Sequence, residues 1–102
     1  MGRIESLRAE VDQVDDRLLE LFVQRARLAR SIGEEKRAAG IALVDPLREE
    51  DIVARQEEKA GDATTPLDER ALRRLWAAVI GECRRVVVEL GNGNQTPDGE
   101  SG

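Results

Sequence analysis

The stretch Ile4 to Lys36, IESLRAEVDQVDDRLLELFVQRARLARSIGEEK, decides the fold. It holds no proline, and its first glycine is Gly33. Alternating steps of three and four give Ile4, Leu7, Val11, Val14, Leu18, Leu21, Arg25, Leu28 and Ile32, a heptad seam whose intervening positions are mostly charged. Only Arg25 breaks the apolar run. An arginine inside a seam reaches solvent past its neighbours, fixes register, or meets an anion within the bundle, because an unpaired buried charge costs several kcal/mol.

Lys36 weights the choice among these. Eleven helical steps of 100° leave it about 20° around the helix from Arg25 and about 16 Å along it. Between them on that face lie Ala29 and Ile32, and the small Ala29 leaves a hollow. Two long cationic side chains leaning over such a hollow could grip a small molecule carrying two carboxylates.

Composition bounds what surrounds this helix. With 102 residues there is room for one domain with a modest core, and a helix of about 36 residues, about 54 Å long, exceeds what so small a chain can cover. It needs a partner. Charged residues are 36% of the chain, aromatics 2%, and the net charge is −5, which argues against nucleic acid or an anionic membrane as the ligand. Any anion site is therefore local. The single Cys83 allows no internal disulfide, the N-terminus lacks the apolar core of a signal peptide, and no run approaches a membrane span, so a cytoplasmic location is expected. With no histidine and one cysteine, a soft-metal site is not expected, and histidine acid–base chemistry is excluded. No cofactor is implied.

In chain order, the first helix is expected from about Ile4 to Ala39, stopped by Gly40. After a short connection, Asp45 caps a second helix that begins at Pro46 and runs to about Ala60. It is highly charged and suits a cover more than a core. Residues 61–65 read as a turn. Thr65-Pro66-Leu67-Asp68 then reads as a capped start for a third helix to about Leu90, with Leu72, Leu75, Trp76, Val79, Ile80, Cys83, Val86, Val87 and Leu90 on its apolar stripe. Residues 91–102 have no apolar side chain and are expected to be a disordered tail after a domain spanning 1–90. The fold class is all-α, with a long, a short and a medium helix.

The segments LRAEVDQVDDRLLELFVQR, then IGEEK ending in Lys36, then D-P-L-R-E from Asp45 to Glu49 resemble, in that order and at those separations, the all-α chorismate mutases (type II). The likeness runs from about Ile4 to Leu90. It implies an intertwined homodimer in which the first helices of two copies pair and form two equivalent sites. It further implies that Arg8 crosses to the partner's site to bind one carboxylate of a dianionic substrate, that Arg25 holds a carboxylate within its own subunit, and that Arg48 assists. Lys36 would donate to the ether oxygen of the bond that breaks, while Glu49 and the region of Asp45 would receive the ring hydroxyl. Arg8 lies about 100° around the helix from Arg25, which suits a different site.

The implied reaction, chorismate to prephenate, is a unimolecular [3,3] rearrangement. It needs the reactive conformer held and developing negative charge on the ether oxygen stabilised, and cations can do both. On the third helix the chain departs from the family pattern: where better-known members carry a serine and, one turn later, a glutamine or glutamate, this chain has Cys83 and Val87. Valine donates no hydrogen bond, so Lys36 acts alone, or a polar neighbour substitutes, Glu82 and Arg84 being nearby, or the third helix aligns with the family pattern in another register. Three activities remain open: chorismate mutase; a lyase or mutase on isochorismate or 4-amino-4-deoxychorismate; and a weak helical dimer activated by docking on the synthase that opens the shikimate pathway.

Overall fold

The computed structural model describes residues 2–61 and 66–90. Helix α1 spans Arg3–Ala39, α2 spans Pro46–Gly61 and α3 spans Glu69–Arg85, continuing into a π-helical turn at Val86–Leu90. The described residues form no strand, in keeping with the all-α expectation. The proposed tail at 91–102 and Thr65 lie outside them.

The ends of the helices follow from local chemistry. Gly40 terminates α1 at φ 70°, in the left-handed region open to a residue without Cβ, while the Ile41 N–H closes back on the Lys36 carbonyl at 2.9 Å. Asp45 caps α2, its Oδ1 accepting from the Arg48 N–H at 3.1 Å. The third helix begins later than the sequence suggests. Pro66 lies in a bend, and Asp68 is the cap, its Oδ1 accepting from the Ala71 N–H at 2.8 Å. A carboxylate aimed at free N–H groups outcompetes a proline merely compatible with a first helical position. Nor does the helix stay α-helical to Leu90. Val86–Leu90 take the wider π form, as single turns near functional sites often do.

Long dimension and packing both trace to α1. Its 37 residues account for about 56 Å at 1.5 Å per residue, and the molecule measures 56 × 33 × 16 Å. The radius of gyration, 17.8 Å, exceeds the roughly 13 Å of a compact 100-residue domain. Helix α3 with its π turn packs on the C-terminal part of α1 and on α2, whereas α1 and α2 do not pack on each other. The core is correspondingly thin: Val53, Ile80, Cys83 and Val87 are its buried apolar side chains among the described residues, with Gly33 buried beside them. Leu75, expected on the packed stripe, is exposed. No described helix is long and apolar enough to cross a membrane.

Candidate active site

Because α1 and α2 stand apart while both lean on α3, a cleft opens between them. It encloses about 510 Å³, within the range of small-molecule sites. Arg25, Leu28, Ala29, Ile32, Gly33 and Lys36 form one wall, Leu43, Asp45, Arg48, Glu49 and Ile52 the other, and Ile80, Cys83, Arg84 and Val87 the floor. Seven of the residues named from the sequence are thus brought together: Arg25, Lys36, Asp45, Arg48, Glu49, Cys83 and Val87. Arg8 is not among them. It is exposed on α1, seventeen residues and about 25 Å along the helix from Arg25.

The cleft's charges are unevenly satisfied. Its two acids are already engaged: Asp45 caps α2, and Glu49 takes a bidentate pair from Arg84, Nε to Oε2 and Nη2 to Oε1, both at 3.0 Å. Hydrogen bonding to Glu49 raises the pKa of Arg84 further above its ordinary value, with charge attraction adding to it. Among the cations, Lys36 donates from Nζ to the Leu43 carbonyl at 3.3 Å, which uses one of three donors and draws the α1–α2 connection over the cleft. Arg48 is exposed, with a loose contact to Asp51 at 3.7 Å. Arg25 is half-buried and forms no hydrogen bond or ion pair with any described residue. Among the seam positions of α1 it is the one this chain itself partly covers, so the least soluble arrangement for an apolar residue is reversed: the charge is sheltered and its apolar neighbours are not.

Two residues of consequence, Gly33 and Arg37, lie outside the site residues expected from the sequence, and a third, Arg84, is named there only as a substitute for a missing donor. Gly33 is the point where α1 meets the π turn, and a Cβ there would lie 2.7 Å from Val87 Cγ1. Its signal in the sequence is a glycine inside an otherwise glycine-free helix, a costly placement unless something approaches closely. Arg37 ties the same junction from outside, donating from Nη2 to the Val87 carbonyl at 2.7 Å. Arg84 is the polar neighbour of Val87 that lines the cleft. Glu82, the other candidate, faces a separate apolar groove beside Phe22 and Val86 and pairs with Arg85.

Comparison with known proteins matches this architecture. The family described as chorismate mutase type II covers residues 7–88. The bifunctional chorismate mutase/prephenate dehydratase of Aquifex aeolicus is 31% identical over 86 residues, which are 81% of this chain and 23% of that protein. The chorismate mutase of Methanocaldococcus jannaschii is 34% identical over 53 residues, 52% of this chain and 54% of that one. The chain therefore spans about a quarter and about half of these two relatives. Among solved structures, a chorismate mutase from Thermus thermophilus (form I) superposes with a TM-score of 0.74 at 30% identity, covering 80% of this chain and 99% of that one. Three helices in this order, a cation-lined cleft between the first two and a family match over residues 7–88 together make the chain a member of the chorismate mutase type II family.

Proposed function

We propose that this chain is a chorismate mutase that works as a homodimer, converting chorismate to prephenate in aromatic amino-acid biosynthesis. The observation that carries the reading is Arg25: a half-buried cation with no described partner, facing a cleft it shares with Lys36. A guanidinium in that setting calls for a carboxylate.

In this reading Arg25 and Arg48 hold one end of the dianion, and Arg8 of a second copy reaches the other carboxylate. The enolpyruvyl arm is thereby folded over the ring, which supplies part of the acceleration as pre-arranged geometry. Lys36, steadied by the Leu43 carbonyl, donates to the ether oxygen as its bond to the ring lengthens and negative charge grows there. Glu49 accepts the ring hydroxyl near the Asp45 cap. Leu28, Ile32, Ile52 and Ile80 present an apolar lining against which the substrate's carbon skeleton can pack. No proton is removed and no covalent intermediate forms, consistent with a cleft whose charged side chains are four cations and two acids. The second copy is supported by the exposed seam of α1 and by the groove at Phe22 and Val86. The reading extends to a cytoplasmic setting, where the buried Cys83 thiol stays reduced.

A second reading, a weak dimer that needs the pathway's first synthase for full activity, is favoured by Val87, which lines the cleft and donates nothing. Assays with chorismate, isochorismate and 4-amino-4-deoxychorismate, each with and without that synthase, separate the two. Prephenate formed by the chain alone supports the first reading. Formation only with the synthase supports the second, and turnover of neither chorismate nor its relatives refutes both.

A further inference from the structure

The Glu49–Arg84 pair carries an inference about what the site prefers. Both nitrogens of the fork face both oxygens at 3.0 Å, and the pair joins the α2 wall of the cleft to its α3 floor, where the first turn of α2 meets the end of α3. We infer that Arg84 is a positioning residue that fixes Glu49 and screens its charge, so that the site favours a substrate bearing a hydroxyl over one bearing an ammonium at the ring position Glu49 faces. This rests on the mutase reading above, which puts the substrate ring against Glu49.

A carboxylate offers about four lone-pair sites, and the fork uses two, so Glu49 can still accept a neutral O–H. An ammonium at the same place would be drawn by Glu49 and repelled by the guanidinium beside it, and it would surrender its hydration for little return. An unscreened Glu49 would reverse that preference. The plainer role for Arg84, tying α2 to α3, is served elsewhere. Arg73 bridges the same two helices through Glu57 at 2.8 Å and Glu50 at 3.1 Å, away from the cleft. Both pairs have the same chemistry, but only that of Arg84 borders the space a substrate would occupy. Its Nη1 makes no hydrogen bond with the described residues, so the guanidinium keeps a donor edge that a hydroxyl oxygen can use and an ammonium cannot.

The test is the ratio of kcat/KM for 4-amino-4-deoxychorismate to that for chorismate, measured on the full chain and on Arg84→Met, Arg84→Lys and Glu49→Gln. Both partners are partly exposed, so solvent screening holds the expected rise for Arg84→Met to about fivefold. Arg84→Lys keeps the charge and should leave the ratio within about twofold while lowering both activities through loss of the fork. Glu49→Gln should lower the ratio, because the freed guanidinium then repels the amine. A ratio unmoved by Arg84→Met, with both activities reduced alike, overturns the proposal and leaves a helix tie. Should Arg84→Met fail to fold by urea titration, Glu49→Gln decides from the other side of the pair, and an unchanged ratio overturns it there. A native chain that turns over neither compound removes the mutase reading itself, an outcome distinct from an active enzyme with an unmoved ratio.

Discussion

The two halves of α1 share one heptad seam and have opposite surroundings. Residues 3–24 are exposed throughout, including Val14 at 56%, Leu18 at 42% and Leu21 at 56%. From residue 25 onward the same helix packs on α3 and the π turn, buries Gly33, half-covers Arg25, Ala29, Lys36 and Arg37, and forms a wall of the cleft. The difference lies in the side chains that α3 has to approach. Gly33 lets the π turn come close, whereas the leucines and valines upstream hold any neighbour at full side-chain distance and present a broad surface for another helix. An apolar seam says that a face must be covered, and it does not say by whom.

The upstream half is the more vulnerable to substitution. Leu18→Glu with Leu21→Glu should abolish cooperative folding along with association, because the thin core of one chain cannot stand alone. Circular dichroism and sedimentation check this, and a well-folded monomer would mean that the upstream seam needs no partner. A milder probe joins the two halves. Arg8→Ala and Arg25→Ala chains should each be nearly inactive, yet after mixing and subunit exchange they should recover about a quarter of native activity, since half the dimers are mixed and each mixed dimer has one whole site. No recovery despite proven exchange would confine Arg8 to its own subunit.

The downstream half is tested at its closest contact. Gly33→Ala gains about 1 kcal/mol in helix propensity, but its Cβ would meet Val87 Cγ1 at 2.7 Å, and overpacking of this kind costs about 1–3 kcal/mol. The urea midpoint should fall, and Val87→Ala in the same chain should restore part of the loss as a measurable coupling. A raised midpoint in the single variant would show that the junction has room. The smallest effect is expected from Val87→Gln. An amide reaching the cleft should raise kcat for chorismate by about tenfold, less than the 10²–10³ typical of a built-in donor because nothing around Val87 orients it. Unchanged or lower kcat together with a lower urea midpoint would make Val87 purely a packing residue.

Much of the molecule is legible in the sequence because the information is local. The seam, Gly40, and Asp45 with Pro46 fix two helices to within a residue or so of their ends. The helical period alone places Arg25 and Lys36 on one face. The third helix is less readable at both ends, since Asp68 and Pro66 compete for the same start and the π turn has no periodicity of its own. Glu49 could be named from its motif, but not its partner: Arg84 is 35 positions away, and no spacing rule connects them.

What the sequence determined by itself is therefore the set of helices and the sign of the charge on one face, because both depend on side chains within a few residues of each other. Tertiary structure decided which stretch of the seam meets its own chain and which is left bare. It also decided that Asp45 and Glu49 are already engaged while Arg25 is not. These outcomes depend on how closely α3 can approach α1, and that distance is set where Gly33 meets Val87, 54 residues apart in the chain and in contact only once the π turn has packed on α1.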